Sequence, residues 1–584
     1  MFPTPRLLSP TPFTRSHPGC DPRCFIPALV LLLTVSTFAS ATPGSTTPCT
    51  TGRIHGPAPS ARVGSSVVCD DTHFAVGVPG LDTVWIGTID GSGGGSIFAV
   101  LTGPAGSRFG SAIATLDGEW FIGAPRELPA GTVHRYLLEP QPTLLEVLHP
   151  LLATPGARAG SALAAAGDLL VAGAPLHGTP SAPSGAAFCF RHTPSGWVAL
   201  PPLFPPDGHR EGGFGEAVAT DGLHLAVGAP RAPGAEPESG SVAIFRLLPT
   251  NLCAPLALAI DPQGVNDDGF GAALAFGGGG FATGGGSGSD LAIGIPHRTP
   301  AGSLTPGGGV VHLVSGNGIA SWPVPLPSAV PVLFADHTLS RAVPPGSPSI
   351  SAAGFGGALV FGGDRLWVGS PADSSLAPLA GSITGFDRTG PAIDSWVEAE
   401  TISSSVPAAG ADFGRAIALS DSTLNPSDTA LLVGLPGDPL GCGGAFGCDA
   451  GAFELFATTV GADCDQDGTP DPCAIYVDPS LDLDGDGRLD RCQFRRGDVD
   501  ESGGLNLADP ITWLVALASA GTIPIGGACP AAWNSNGDDS LDLADPIYLL
   551  SYLFSSGSAP PLPFPGCGTG PGAEPFLCST ECTP

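Results

Sequence analysis

From about residue 50 to 460 the chain repeats one order of apolar and polar positions. A short strand of small residues comes first, as in Glu216-Ala217-Val218-Ala219. An alternating strand follows a tight polar turn, as in Leu223-His224-Leu225-Ala226-Val227, and ends on glycine, a small residue and proline. After a variable polar loop a third strand opens on glycine, as in Gly240-Ser241-Val242-Ala243-Ile244-Phe245, Gly131-Thr132-Val133-His134-Arg135-Tyr136 and Gly381-Ser382-Ile383-Thr384-Gly385-Phe386. A weaker fourth often follows, as in Trp197-Val198-Ala199-Leu200. Period-two runs punctuated by Gly and Pro predict strands.

The unit occurs seven times, with its first glycine at 64, 110, 160, 215, 271, 356 and 414. It opens on Phe109-Gly110, Phe214-Gly215, Phe270-Gly271, Phe355-Gly356 or Phe413-Gly414, and in two copies on Val63-Gly64 or Ala159-Gly160. It closes on Gly77-Val78-Pro79, Gly123-Ala124-Pro125, Gly173-Ala174-Pro175, Gly228-Ala229-Pro230, Gly294-Ile295-Pro296, Gly369-Ser370-Pro371 or Gly434-Leu435-Pro436. Four strands in about 50 residues make a propeller blade. The expected fold is therefore mainly β, a seven-bladed β-propeller over 50–460. Small residues suit strands crowded at a central axis, and proline suits a strand end because it has no N–H for the ladder. The strand near Thr51–Ile54 is expected to close the ring by pairing with the last blade. The one long interval, 271 to 356, holds a Gly-rich stretch at 277–288 and a Pro-rich stretch at 321–348, the latter read as an irregular insertion.

The repeat changes how the composition reads. Glycine (86) and proline (64) are abundant and the net charge is −31, a profile that taken alone points to disorder, yet 42% of residues are hydrophobic. The punctuation has a period, so a folded repeat accounts for it. All 22 positive charges are arginine. The acidic balance argues against nucleic acid or an anionic membrane as partner, because both require basic surfaces.

Residues 1–41 carry Arg6, Arg15 and Arg23, an apolar run from Phe25 to Val35, and Ala39-Ser40-Ala41. This is the order of a signal peptide, and it predicts a protein secreted or held at the cell surface. No other stretch approaches the roughly 18 apolar residues of a membrane span. Thirteen cysteines would remain after cleavage, and in an exported chain most are expected to pair. Neighbours in sequence suggest Cys442 with Cys448, Cys464 with Cys473, Cys529 with Cys567 and Cys578 with Cys582, and with full pairing the odd total leaves one cysteine over.

About half of the net charge lies in the last 122 residues, where 19 Asp and Glu face 4 Arg. It is patterned. Over 461–495, Asp463, Asp465, Asp467 and Asp471 fall at loop positions 1, 3, 5 and 9 with Gly468 at 6, and Asp482, Asp484, Asp486 and Asp490 repeat the spacing with Gly487 at 6. Alternate carboxylates converge on one centre, and a glycine at the sixth position permits the sharp turn of a calcium loop. Over 496–557 two further loops each run into an apolar helix. Asp498, Asp500, Ser502, Asn506 and Asp509 supply oxygens before Pro510-Ile511-Thr512-Trp513, and Asn534, Asn536, Asp538, Asp542 and Asp545 before Pro546-Ile547-Tyr548-Leu549. Proline at helix entry fits. Ile511, Leu514 and Val515 share one helical face, as do Ile547, Leu550 and Phe554. A Pro/Cys-rich tail follows at 558–584.

The repeated unit resembles the FG-GAP repeat of integrin-α-like propellers and of many secreted bacterial proteins. Calcium-binding members carry several aspartates between the first two strands. Here that turn is short, as in Asp117-Gly118, Gly167-Asp168, Asp221-Gly222 and Gly363-Asp364, so the blades are not expected to bind calcium in that way. The loops at 463–490 resemble EF-hand or thrombospondin-type-3 loops. The duplicated loop–helix resembles a type I dockerin, whose repeats end in Asp, although Asn534 replaces the first Asp and Asp539 stands where glycine is usual. These resemblances imply Ca2+ as the bound ion and a cohesin-like or cell-surface protein as partner.

No zinc-protease, nucleophile-elbow or P-loop motif occurs, and no Cys-x-x-Cys. His134, His224 and His312 fall on expected strands and read as satisfied histidines. Arg496-Gly497-Asp498 spells an adhesion tripeptide, but Asp498 is also the first oxygen of a proposed loop, so the match reads as coincidence. The favoured reading is a secreted calcium-binding interaction or structural protein, in which the propeller presents loops and the C-terminal module docks. The alternative is an enzyme, or an accessory subunit, of extracellular polysaccharide breakdown tethered by its dockerin.

Overall fold

The computed structural model describes residues 49–457 apart from 71, 90–94, 180, 278–288, 300–307, 316–331, 334, 341–351, 391–394, 421–429 and 443–448; beyond these it describes 474, 481, 494–561 apart from 501, 503, 521–529 and 539, and 564. The expected signal segment 1–41 and the side chains of the four suggested cysteine pairs lie outside the described residues.

Seven antiparallel sheets form a seven-bladed β-propeller. The innermost strands are Val67–Cys69, Ile113–Leu116, Ala162–Ala166, Ala217–Thr220, Ala273–Gly277, Ala358–Gly362 and Ala416–Leu419. Each packs against the next, and the seventh packs against the first, so the ring closes. The last blade is assembled from both ends of the described propeller. Its outermost strand is Cys49–His55, antiparallel to Ala452–Ala457 with Ile54 opposite Phe453, which is the closure expected from the sequence.

Two glycines per unit explain the spacing of the repeat. The first, before the innermost strand, lies at φ between +83° and +89° in all seven blades, a region that glycine occupies without penalty. Its N–H bonds the carbonyl of the second glycine in the same blade at 2.9–3.2 Å. The second glycine faces the neighbouring blade. A Cβ on Gly77, Gly123, Gly173, Gly228, Gly294, Gly369 or Gly434 would collide with the carbonyl oxygen of Gly110, Gly160, Gly215, Gly271, Gly356, Gly414 or Gly64 respectively. Backbone touches backbone at every blade interface, including the one that closes the ring.

Each interface carries its own apolar cluster. The motif phenylalanines Phe109, Phe214, Phe270, Phe355 and Phe413 are buried in five of them and stack edge-on against Tyr136, Phe245, His312, Phe386 and Phe456. The two units without that Phe find another aromatic pair. At Ala159 it is Phe121 against Trp197, with centroids 5.1 Å apart; at Val63 it is Phe74 against Phe453, 5.5 Å apart. Such pairs add about 0.5–1.5 kcal/mol beyond burial.

Three features differ from expectation. Within 321–348, His337–Leu339 is the outermost strand of the fifth blade, and Val332–Leu333 runs parallel beside Leu258–Ala259. The pairing edge of the third strand, Val310–Val314, recruits this segment despite its Pro-rich flanks. Among the described residues Cys69, Cys189 and Cys253 are free thiols, so more than one cysteine is left over. Cys189 and Cys253 sit within hydrogen-bonding reach across the interface of blades 3 and 4. Finally, one buried ionic group marks the closing strand. Arg53 Nη1 donates to Glu454 Oε1 (2.6 Å) and Ser404 Oγ (2.6 Å), Arg53 Nη2 lies 2.9 Å from Asp438, and His55 Nδ1 lies 2.8 Å from Asp438. Glu454 and Asp438 are fully buried. An ion pair this deep is destabilising once one partner is removed, by about 3–5 kcal/mol.

Replacing Gly228 by Ala forces a methyl group onto the carbonyl of Gly271 and should lower stability by about 1–3 kcal/mol, read as the thermal midpoint; an unchanged midpoint would contradict the close-approach account. The Asp438 carboxyl gives a pH dependence. Burial alone would raise its pKa, but bonds from His55 and Arg53 hold it below the usual carboxylate range. A depressed folded pKa contributes stability above the ordinary value of about 3.9, and this is lost as pH falls through the depressed one. Asp438→Asn should therefore destabilise at neutral pH and make acid unfolding below about pH 4 shallower.

Candidate functional site

Among the described C-terminal residues, the helices Ala508–Ala520 (α1), Pro530–Trp533 (α2) and Ala544–Ser555 (α3) lie around a small core of Phe494, Val499, Trp513, Ala532, Trp533 and Leu549. Trp513 and Trp533 lie 5.8 Å apart, and Trp513 Nε1 donates to the carbonyl of Trp533 at 3.0 Å. The sequence grouped Ile511, Leu514 and Val515, and Ile547, Leu550 and Phe554, as the apolar helix faces. Ile511, Val515, Ile547 and Phe554 on these faces are exposed, while Trp513 and Leu549 are buried. The two helices turn their Trp513 and Leu549 sides to each other, and an apolar strip with Leu507 and Leu543 is left on the outside.

The loops ahead of α1 and α3 repeat their hydrogen bonds residue for residue at an offset of 36. Asp509 Oδ1 accepts from the amides of Val499 (2.8 Å) and Asp500 (3.3 Å); Asp545 Oδ1 accepts from Ser535 (2.8 Å) and Asn536 (3.4 Å). Asp509 Oδ2 accepts from Asn506 (2.7 Å), and Asp545 Oδ2 from Asp542 (2.9 Å). At the first loop position Asp498 Oδ1 accepts from Ser502 (3.0 Å), and Asn534 Oδ1 from Asp538 (3.2 Å). At the third, Asp500 accepts from Ser502 (3.1 Å) and Asn536 from Asp538 (3.0 Å). At the ninth, Asn506 and Asp542 accept the amides of Ala508 (2.7 Å) and Ala544 (2.6 Å), which enter the helices. Asn534 thus fills the structural role of Asp498 with an amide oxygen.

The structure brings Asp498, Asp500 and Asp509 together, with one oxygen of each within 4.8 Å of the others. Asp498 and Asp509 are buried. Burial pushes the Asp509 carboxyl up to about 6, against three backbone amides that favour its charge and with Asp500 adding repulsion. Burial likewise pushes Asp545 up to about 6, with Asp538 adding repulsion. Gathered carboxylates and amide oxygens are the donor set of a hard divalent cation. In the second loop Asn536 Nδ2 donates to Asp538 Oδ2 at 2.8 Å, so an amide and a carboxylate stand where the first loop has Asp500 and Ser502. Ser502 and Asn506 are exposed beside the first group, their side chains 3.3 Å apart. Asp463, Asp465, Asp467, Asp471, Asp482, Asp484, Asp486 and Asp490 lie outside the described residues.

One residue of the coincidental tripeptide gains a role that the sequence did not show. Arg496 is buried. Its Nη1 donates to the carbonyl of Asn534 at 2.5 Å, and its guanidinium lies 5.1 Å from the Phe494 ring centroid. It ties the segment entering the first loop to the first residue of the second. The tripeptide Arg496-Gly497-Asp498 is therefore spent inside the unit. Its sequence signal was visible, but its role follows only from the packing.

In the propeller, two of the short turns between first and second strands hold a carboxylate that is already engaged. Asp168 pairs with Arg191 (2.7 Å), and Asp221 accepts from Leu223 (2.9 Å) and His224 (2.6 Å). His134 bonds Glu127 at 2.6 Å, as expected of a satisfied strand histidine, and His224 Nδ1 lies 3.1 Å from Asp221; Nε2 of His224 and Nδ1 of His312 are buried without a hydrogen-bond partner, so these two are only partly satisfied. His312 is buried against Phe270, where burial holds its imidazole below the usual range. No helix among the described residues is long and apolar enough to cross a membrane.

Fold and site together define a seven-bladed β-propeller protein with a duplicated loop–helix unit. No protein-family model matches this chain, and no curated protein is similar to it.

A receptor that reads the adhesion tripeptide should capture a linear peptide spanning 494–500 but not the folded chain, because Arg496 and Asp498 are buried. Equal capture of both would show the tripeptide to be displayed.

Proposed function

We propose that this is a secreted or cell-surface interaction protein of FG-GAP type. Its propeller presents loops to a partner, and its dockerin-like C-terminal unit is stabilised by Ca2+ and docks to a cohesin-like or cell-surface protein. The observation that carries the reading is the offset of 36 between two loops with the same hydrogen bonds, the first of which gathers Asp498, Asp500 and Asp509. These three carboxylates would hold the cation in the first loop, and Asp538, Asp542 and Asp545 with Asn534 and Asn536 in the second. A bound divalent cation would offset the repulsion among buried carboxylates and fix both helix entries. The exposed strip of Leu507, Ile511, Val515, Leu543, Ile547 and Phe554 supports docking, since an apolar patch of this kind on a soluble unit marks an interaction surface.

The test is calcium titration of the full chain by calorimetry together with thermal unfolding. Ligand that binds only the folded state raises its stability by RT ln(1 + [L]/Kd), about 2.7 kcal/mol at a hundredfold excess over Kd. Asp498→Asn with Asp509→Asn should remove one binding equivalent and part of the calcium-induced rise in midpoint. Capture of a surface-fraction protein should disappear in EDTA. Equal midpoints in calcium and EDTA would overturn the reading.

A further inference from the structure

The residue two positions before the first glycine of each blade is in the left-handed region in all seven units. Blades 4, 5 and 6 place glycine there, at Gly213 (φ +71°), Gly269 (φ +76°) and Gly354 (φ +99°). Blades 1, 2 and 3 place arginine there, at Arg62 (φ +57°), Arg108 (φ +55°) and Arg158 (φ +62°). A side chain is disfavoured in that conformation, and strained non-glycine residues concentrate where a site needs them. Blade 7 has Asp412 at φ +58°.

These positions share one end of the ring. The first strand starts where the antiparallel second strand ends, so the residue after the closing proline lies on the same face. In blade 2 that residue is Arg126, whose amide bonds the carbonyl of Ser107, the neighbour of Arg108, at 2.8 Å. Arg62, Arg126 and Arg158 are exposed and Arg108 is half-buried. Burial, then Arg126, Arg62 and Arg158, disfavour the charge on Arg108, with Asp82 opposing. The guanidinium groups thus feel one another. Among the described residues none of the four has a carboxylate within 4.0 Å; the carboxylate of Asp82 accepts the amides of Gly106 (2.6 Å) and Arg108 (2.6 Å). Arg231, the counterpart of Arg126 in blade 4, is by contrast paired with Glu216 at 2.8 Å. In a chain of net charge −31, four arginines without an ion-pair partner among the described residues thus lie together, with Asp412 attracting Arg62 from beyond 4.0 Å.

We propose that Arg62, Arg108, Arg126 and Arg158 form a binding site for a compact ligand bearing several oxyanion groups, on the propeller face where the innermost strands begin. Guanidinium forks match carboxylate, sulfate and phosphate oxygens in bidentate geometry. The surrounding negative charge repels a long polyanion, so the ligand is short. The site is separate from the calcium loops, and its failure would leave the reading of those loops untouched.

The experiment uses the full chain with calcium present. Trigalacturonate, inorganic sulfate and inorganic phosphate are titrated by calorimetry, with neutral maltotriose as control. The variant is the triple Arg62→Gly, Arg108→Gly, Arg158→Gly, which installs the residue that blades 4 to 6 already use, so its thermal midpoint should hold or rise. Arg126→Ala is measured beside it. At least one oxyanion probe should bind more tightly than maltotriose, weaken with added salt, and weaken at least tenfold in the triple variant. The preferred probe identifies carboxylate, sulfate or phosphate as the source. Binding that is equal in wild type and triple variant, or no tighter than maltotriose for all three probes, would overturn the proposal. A loss of binding accompanied by a lower midpoint is resolved by Arg126→Ala, which leaves the left-handed positions intact: binding kept at wild-type strength there overturns it, and binding weakened there supports it.

Discussion

The structure depends on a contact that no side chain makes. At each blade interface the Cα of one glycine lies against the carbonyl of another in the next blade, and the contact recurs around the ring to the pair Gly434 and Gly64. Such an approach requires glycine at the second-strand position, and the turn that delivers the carbonyl requires positive φ at the first. The apolar clusters then fill the wedge that opens outward from this seam. This is why the interfaces can exchange Phe for Val63 or Ala159 and rebuild the aromatic contact from another strand, while both glycines are kept in every blade. A closed ring of this kind has no free inner edge, and its one outer discontinuity is covered by the strand Cys49–His55.

That contact also explains why the fold was legible. The glycines, prolines and the Phe that precede and follow the strands are written into each unit at fixed places, and the number of copies gave the number of blades. The closing strand was expected near Thr51–Ile54, and Cys49–His55 fills the outermost place of the last blade beside Ala452–Ala457. What could not be read was whatever depended on distant pairing. The outer strand His337–Leu339 comes from a Pro-rich stretch with little strand character of its own, and it forms because the edge of Val310–Val314 is available. The buried group of Arg53, Glu454 and Asp438 joins residues about 400 positions apart in sequence.

The C-terminal unit was legible to a different degree. Oxygen-bearing residues at alternate positions marked both loops, and the offset between them survives in the hydrogen bonds. The shared faces of Ile511, Leu514 and Val515 and of Ile547, Leu550 and Phe554 were legible, but not which side of each helix is buried: Trp513, Trp533 and Leu549 take the interior and leave much of that stripe to solvent. The arginines before the first glycines were invisible as a group, since they are about 46–50 residues apart in sequence and become neighbours only on a closed ring. The charge pattern gains a division of labour: carboxylates concentrate in the C-terminal loops, and unpaired arginines gather on one propeller face.

The central claim is that the ring is a single cooperative body held by the glycine seam and sealed by its first strand. Native-state hydrogen exchange tests it most directly, because it reports the opening free energy of each strand separately. The account predicts that innermost and second-strand amides of all seven blades, and those of residues 52–55, exchange through one common global opening. Faster, independent exchange of residues 52–55 and the seventh blade, with blades 1 to 6 still protected, would contradict it.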